Sequence, residues 1–322
     1  MFRWLKQKMT NTNPWKYVQV DADGLENNPY LNPALKPTPQ TSPAHNAEPA
    51  TPVTVTNLDD FLVLQNLTCV DADGRVFEHY PELRVRKDIF RNPQGGQINL
   101  SSYNWAVHCE QNGLFLPSFA LTCNIVAALY KNRTNPYANA LLQQYNNYGS
   151  GYGYHAQNTI INYAAEEAIH YPTAADFNQT AAVNVAFQRK TSRFDKVTLQ
   201  DSLLENALKD AAHTRYVKQL TGLANPADLV EIGKYFGKPA KLWFPWNGQA
   251  GATFNDKRAA WFGCNSNYLS LNGNYYLNYS NAGRGVRGER QRAGAPAGHV
   301  AQRSRASQTK KKVLKNTTGR AK

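Results

Sequence analysis

The sequence predicts an α+β fold in which a helix-rich region precedes a mixed β region and both chain ends are disordered. Three observations support this prediction. Apolar residues recur at helical spacing over 119–129 and again over 199–220. A short apolar run such as 241–244 is typical of a buried strand. Proline-rich and lysine-rich stretches without an apolar period lie at the two ends of the chain.

The N-terminal region, residues 1–56, is expected to be a disordered, proline-rich arm. Seven of the 17 prolines lie between Pro29 and Pro52. Each proline removes a backbone donor and restricts the residue before it, so this stretch cannot bury enough apolar surface to offset its ordering entropy. The Asp-Gly pair at 73–74 predicts a tight turn, which we favour over a calcium loop because the closing Glu is missing.

Residues 57–239 are predicted to form a helix-rich α+β region. Its helices are recognised by their apolar stripes, by Asn-Pro starts and by terminal glycines. The predicted elements, in chain order, are a helix from Pro117, a helix that begins at Asn135-Pro136, strands at 159–163 and 168–171, a long helix from Thr198 to Leu220 that ends at Gly222, a helix from Asn225-Pro226 to Gly237, and a strand over 241–244.

The positive charge is concentrated at the C-terminal end. The chain carries a net charge of +13, and residues 284–322 hold 12 Lys and Arg against one acid, a balance of +11. Residues 291–322 are therefore expected to be a disordered basic tail. Such a tail can bind nucleic acid or an anionic surface non-specifically, or it can be a solubilising end without a partner.

Localisation stays open at this point. No run of about 18 apolar residues predicts a membrane span, and residues 1–9 are charged without the apolar region of a secretory signal. We therefore expect a protein of the cytoplasm, of a virion, or of a cell surface reached by a non-classical route. The four widely spaced cysteines predict reduced, partly buried thiols, although disulfides remain open if the protein is exported.

Motifs of the common enzyme classes are missing. The sequence contains no HExxH, GxSxG, P-loop or GxGxxG motif. His155 follows a Gly/Tyr-rich loop at 145–154, and Glu166-Glu167 can pair with His170 on a helical face, but a lone histidine is more often structural. We expect no catalytic residue, no metal ligand and no cofactor.

The most informative segment is 263–281. Six of its 19 residues are Asn, four are Tyr, three are Ser and none is charged. Binding loops use this composition, because Tyr gives rigid contact area and Asn and Ser give adaptable hydrogen bonds. Leu269 and Leu271 are two residues apart, so both can face the core of a strand while the residues between them face outward. The alternative is a low-complexity segment without a binding role.

The flanks of this segment carry a resemblance to a known family. Residues 258–262 (Arg-Ala-Ala-Trp-Phe) precede it, and residues 283–287 end in Gly-Val-Arg. This arrangement resembles the C-terminal end of the C-type-lectin-like fold in its formylglycine-generating-enzyme branch. The Asn/Tyr/Ser bias is similar to that of the variable proteins of diversity-generating retroelements, which are found in phages, archaeal viruses and small archaea. In these proteins, substitutions at template adenines vary the ligand-binding side chains.

The resemblance implies that 240–290 is a C-type-lectin-like part with a variable binding segment at 263–281. It covers 258–287, and 35 residues follow Arg287, whereas the family usually ends with the variable region. No second cysteine lies close to Cys264, so the enzymatic activity of the branch is not expected. The implied scaffold residues are Trp261, Leu269, Leu271, Leu277 and Val286. The implied outward-facing ligand-binding residues are Asn265, Ser266, Asn267, Tyr268, Asn272, Asn274, Tyr275, Tyr276, Asn278, Tyr279 and Asn281.

The resulting expectation is a non-catalytic binding protein that contacts an unknown protein or surface ligand through 263–281. A structural or nucleic-acid-associated protein that works through the basic tail is the alternative. An enzyme of the same fold that uses His155 and Cys264 is a third reading.

Overall fold

A computed structural model describes residues 52–146, 153–179, 189–197, 199–245 and 257–288. In these ranges it contains both strands and helices, which confirms the α+β prediction. The strands are β1 (Thr54–Asn57), β2 (Phe61–Val70), β3 (Val76–Arg86), β4 (Gly153–Asn162), β5 (Glu167–His170), β6 (Lys190–Arg193), β7 (Ser202–Leu203), β8 (Ala240–Trp243), β9 (Lys257–Cys264), β10 (Leu269–Tyr275) and β11 (Val286–Gly288). The helices are α1 (Ser102–Gln111), α2 (Phe119–Lys131), α3 (Pro136–Asn146), α4 (Leu204–Ala207), α5 (Ala211–Thr221) and α6 (Ala227–Tyr235), and a 3-10 turn spans Ala175–Phe177.

A four-stranded sheet with the order β1-β2-β3-β11 joins the beginning of the described chain to its end. Between β2 and β3, Asp71 Oδ1 accepts the backbone N–H groups of Asp73 and Arg75 at 2.9 and 2.8 Å. The predicted tight turn is therefore confirmed. The short β11 pairs antiparallel with β3, and Val286 lies opposite Val85.

A seven-stranded sheet has the order β6-β5-β4-β9-β10-β8-β7, in which β8 and β10 are parallel and the other pairs are antiparallel. It combines strands from both sides of residue 240, since β4 pairs with β9 and β8 pairs with β10. The predicted boundary between 57–239 and 240–290 therefore does not separate two structural units. The physical reason is that each region alone would leave strand edges unpaired, and the other region supplies their backbone partners.

Helix α2 lies in the core, and eleven of its thirteen residues are buried. Ser118 caps its N-terminus, because the Ser118 hydroxyl accepts the N–H of Leu121 at 3.0 Å. Asn135 caps α3 in the same way and accepts the N–H of Tyr137 at 3.0 Å. Both of these helices are confirmed near their predicted starting points.

The long helix predicted over 198–220 is wrong in its first half. Residues 202–203 form β7, and the helical part is divided into α4 and α5. Asp210 has an extended backbone, and its side chain accepts the N–H of His213 at 2.8 Å, so it begins a new helix instead of continuing the old one. The predicted end is confirmed, because Gly222 follows α5 with a φ of 61°.

Order begins earlier than predicted. Residues 54–56, which were assigned to the disordered arm, belong to β1 and pair with 63–65 of β2. The reason is that β2 pairs with β3 on one side only, so the N–H and C=O groups on its other side can pair with the segment that precedes it. The predicted arm over 1–51 and the predicted tail over 291–322 lie outside the described residues. Across the part of the chain that the structure describes, no helix has the length and apolar character needed to cross a membrane.

Candidate functional site

The segment 263–281 is divided by β10 into two separate polar ends. Residues 265–268 form the turn between β9 and β10, and residues 276–281 form the loop that follows β10. Seven residues lie between Tyr268 and Tyr276, and the eight steps of about 3.3 Å along the strand place the two ends about 25 Å apart. The predicted binding residues therefore do not form one continuous surface.

The predicted scaffold residues are found in the interior. Trp261, Leu269, Leu271 and Val286 are each at most 1% exposed. Leu277 is half-buried and packs against Ala259, Trp261 and their neighbours. Leu269 and Leu271 thus hold the segment in the core, as their spacing predicted.

The prediction that Asn272 faces outward is wrong, because its side chain is only 4% exposed. Ser270, also expected to face outward between the two leucines, is fully buried. Both lie on β10, which has β9 on one side and β8 on the other and is covered on both faces. Their polar groups are bonded internally: Ser270 Oγ accepts from Trp243 Nε1 at 3.1 Å, and Asn272 Oδ1 accepts from the N–H of Asn274 at 3.0 Å.

Some polar groups of the turn between β9 and β10 are hydrogen-bonded within the turn itself. Asn265 Oδ1 accepts the N–H groups of Asn267 and Tyr268 at 2.8 and 2.7 Å, which is the geometry of an Asx turn. Ser266 and Asn267 are exposed at its tip, and the half-buried Tyr268 contacts the edge of Trp243 at 5.7 Å. This turn therefore exposes a small surface at its tip.

The loop after β10 presents aromatic side chains. Tyr275 is half-buried and stacks on Trp261 at 4.5 Å, whereas Tyr276 and Tyr279 are 43% and 49% exposed and stack on each other at 5.9 Å. The guanidinium of the buried Arg258 lies 4.1 Å from the Tyr276 ring. This cation–π contact fixes the position of an exposed tyrosine from below.

This loop forms one wall of a surface cleft of about 670 Å³. The remaining walls come from the first turn of α1, from the 3-10 turn and from the first residue of β9. Two of the eleven predicted binding residues, Tyr276 and Asn278, line the cleft. The lining residues are Ser101, Tyr103, Asn104, Phe177, Asn178, Gln179, Lys257, Tyr276, Leu277, Asn278 and Ser280.

The α1 wall is joined directly to the loop. Asn281, predicted to face a ligand, is half-buried, and its backbone exchanges hydrogen bonds with Leu100 at 3.0 and 3.1 Å. The Asn281 carbonyl also accepts from Trp105 Nε1 of α1 at 2.6 Å. Gly283 packs so closely on Trp105 that a Cβ there would overlap the indole ring. The loop and α1 are therefore held together at the cleft.

The 3-10 turn is held by a buried carboxylate. Asp176 is 8% exposed and accepts the backbone N–H and the hydroxyl of Thr173 at 2.8 and 2.9 Å. Arg189 adds a bidentate contact at 2.9 and 3.1 Å. Burial raises the pKa of Asp176, but the bonds from Arg189 and Thr173 outweigh it and leave this pKa below its ordinary value. The carboxylate is therefore ionised and fixes the residues that follow it.

The charge on the described lining of the cleft is positive. Lys257 is the one charged residue in the described lining, and its ammonium lies 3.6 Å from Asp176 Oδ1. That oxygen also accepts from Arg189, so a single carboxylate faces two cations. The first turn of α1, whose N-terminus carries the positive end of the helix dipole, is also part of the wall.

The candidate catalytic residues lie away from this cleft. His155 is buried, and burial together with the charge of Arg284 holds its pKa well below the ordinary value. His170 lies on a strand instead of a helix, where Thr159 Oγ1 and the Gln219 carbonyl contact its two ring nitrogens at 2.9 and 3.2 Å. Burial raises the pKa of Cys264 to about 12. All three side chains are buried, and none of them lines the cleft.

Thiol and metal chemistry give no further candidate site in the described ranges. All four cysteines are buried free thiols, as the prediction of reduced thiols required. No group of three or more His, Cys, Asp or Glu side chains within the described ranges could hold a metal ion.

Sequence reasoning missed most of the cleft. Helix α1 was not predicted, although Trp105, Ala106 and Cys109 give it a short apolar stripe that starts after the capping Ser101. No local signal connects Phe177 or the other turn residues with the segment 263–281. Comparisons with protein-family models, with curated proteins and with solved structures found no match to this chain.

Proposed function

We propose that this chain is a non-catalytic ligand-binding display protein whose recognition site is the cleft bordered by the loop 276–280. The observation that carries the proposal is a convergence of two independent features. Composition singled out the segment 263–281 as a binding segment, and the 670 Å³ cleft has four residues of that segment in its lining. Tyrosine, asparagine and serine side chains are the groups that binding loops use for contact area and adaptable hydrogen bonds.

The proposal includes diversification of this surface by a retroelement. The pattern of exposure along the segment supports it, because polar residues are exposed at both ends while Leu269 and Leu271 are buried between them. Side chains that vary must project from the scaffold, whereas core side chains must keep their volume. The exposed positions that are best suited to variation are Ser266, Asn267, Tyr276, Asn278 and Tyr279.

A C-type-lectin-like scaffold is the third part of the proposal. Two features support it. The strand that carries the Gly-Val-Arg ending, β11, returns to pair with β3 near the beginning of the described chain. The Trp-containing strand β9 lies between β4 and β10 and supports the binding segment.

The test is to sequence the gene from many isolates of one population. We expect amino-acid changes at the exposed positions of 263–281 and constant residues at Leu269, Leu271 and Leu277. Ser270 and Asn272 should also stay constant, because their side chains are buried and bonded internally. A near-copy of the coding stretch, differing mainly at adenines, should lie beside a reverse-transcriptase gene.

Two results would contradict parts of this proposal. If the segment is uniform among isolates and its coding stretch has no second copy, the segment is not diversified. The chain would then be a binding protein of fixed sequence. Changes spread equally over exposed and buried positions would contradict the assignment of the exposed residues as the recognition surface.

A further inference from the structure

The cleft has a variable side and a constant side under the proposed function. Tyr276, Leu277, Asn278 and Ser280 belong to the segment 263–281, whereas the other seven lining residues lie outside it. Changes within the segment leave the constant side untouched. Any feature of the ligand that the constant side recognises must therefore be shared by all variants.

The constant side carries an excess of positive charge. Lys257 lines the cleft, and the carboxylate that it pairs with among the described residues, Asp176, already accepts two hydrogen bonds from Arg189 and two from Thr173. The distance from the Lys257 ammonium to Asp176 Oδ1 is 3.6 Å, longer than a good hydrogen bond. The ammonium thus retains donors for another anion. Arg258, buried beneath Tyr276, adds a further positive charge.

The lining is hydrophilic. Of its eleven residues, eight carry a hydroxyl or an amide and two, Phe177 and Leu277, are purely apolar. Peptides in grooves are usually recognised through apolar anchor pockets or through an open strand edge. A saccharide instead offers many hydroxyl groups to amides and hydroxyls, and its C–H faces pack on aromatic rings. Tyr103 and Tyr276 provide such rings from two different elements.

We infer that the cleft binds an acidic saccharide, whose anionic group is held by Lys257 and whose hydroxyl and C–H groups contact the exposed edge of Tyr276. This inference rests on the proposed function and specifies its ligand class. The constant side selects the acidic group. The residues of the variable loop then distinguish between saccharides that carry it.

The experiment measures binding of the full-length chain to three immobilised probes. These are a tetrasaccharide of hexuronic acid, a neutral hexose tetrasaccharide of the same linkage, and a capped hexapeptide of alternating Asp and Ser. We expect the acidic saccharide to bind about tenfold more tightly than the neutral one, because one hydrogen bond to a charged group contributes about that factor. Tyr276→Ala should weaken binding of both saccharides.

Lysine variants locate the effect in the cleft. Lys257→Gln should remove the preference for the acidic saccharide, while Lys257→Arg should retain it because the charge is kept. Lys234→Gln is the matched control, since Lys234 is an exposed lysine on α6 that pairs with Glu231. Thermal unfolding of each variant shows whether the fold is retained.

Four results would overturn the inference. Equal binding of both saccharides would show that the cleft does not recognise the anionic group, although it binds saccharides. Tighter binding of the acidic peptide than of the acidic saccharide would show that the ligand class is a peptide. An acidic preference that survives Lys257→Gln would assign it to the basic tail. If no probe binds, the ligand class is refuted, whereas variation at the exposed positions of 263–281 tests the proposed function separately.

Discussion

Replacing Asp176 by Asn tests whether a buried carboxylate holds the 3-10 turn, which forms one wall of the cleft. The substitution keeps the shape of the side chain and removes its charge. Asp176 accepts four hydrogen bonds in the structure, two from Thr173 and two from Arg189. An amide can accept only through its oxygen, and its NH₂ group would face the guanidinium donors.

The expected loss of stability is about 2 kcal/mol. Hydrogen bonds to a charged group contribute about 1.5–3 kcal/mol each, and breaking a fully buried ion pair costs about 3–5 kcal/mol. The value here is lower because the side chain of Arg189 is 40% exposed, so water can replace the lost partner. For a domain of this size, a loss of about 2 kcal/mol lowers the Tm by about 4–8 °C.

Urea and thermal unfolding of the full-length chain measure this change. Glu231→Gln is the control, because Glu231 and Lys234 form an ion pair at 2.8 Å with both side chains more than half exposed. That substitution should cost less than about 0.5 kcal/mol. If Asp176→Asn costs no more than the control, the carboxylate does not organise the turn and the reasoning is refuted.

The pH dependence gives an independent check. The pKa of Asp176 is depressed in the folded chain and has its ordinary value in the unfolded chain. Its stabilising contribution is therefore fully present above about pH 5 and is lost as the pH falls through the folded pKa. The stability difference between the native chain and Asp176→Asn should narrow in acid. A difference that grows on acidification would contradict the assigned ionised state.

Two further predictions concern the fold and the alternative function. Gly222→Ala and Gly237→Ala both place a Cβ at positive φ, which costs about 1 kcal/mol, but only at Gly222 does the Cβ meet neighbours, at 2.8 Å from Ala120 Cβ and 3.2 Å from Cys69 Cβ. Gly222→Ala should therefore lose about 1–3 kcal/mol more than Gly237→Ala in urea unfolding, and equal losses would contradict this close packing. If the chain instead binds nucleic acid through its tail, deletion of 291–322 removes nine Lys and Arg and should weaken binding to duplex DNA at least about tenfold at about 50 mM salt. Unchanged binding would exclude the tail as the nucleic-acid-binding part.

Local sequence signals predicted the elements whose stability is local. The apolar stripe of α2, the turn at the Asp-Gly pair 73–74 and the helix end at Gly222 each depend on neighbouring residues. Helix α1 shows the opposite case. Its ten residues include Asn, His and Glu, and it is held by packing of Trp105 on Phe90 and by the bond from Trp105 to Asn281. Such long-range contacts leave little trace in the sequence of the helix.

The candidate site was predictable in part for the same reason. Composition selected the segment 263–281, which contains the loop at 276–280, because the residue types typical of binding loops differ from those of a core. The opposite walls, with Tyr103, Phe177 and Lys257, come from distant parts of the chain and have ordinary compositions. Alternation along β10 predicted Leu269 and Leu271 correctly, but it could not reveal that the other face of the strand is also covered.

The burial of β10 limits which side chains of the segment 263–281 can be exposed. Gly273, near its middle, lies so close to Tyr163 that a Cβ would overlap the phenol oxygen, and this hydroxyl donates to the Gly273 carbonyl at 3.0 Å. The centre of the segment therefore lies in the core, and its exposed side chains are found at its two ends. Because these ends lie about 25 Å apart, a ligand that fills the cleft leaves the turn at 265–268 free. Substitutions in the turn and in the loop should then act independently on binding, because groups separated by more than about 10 Å rarely couple.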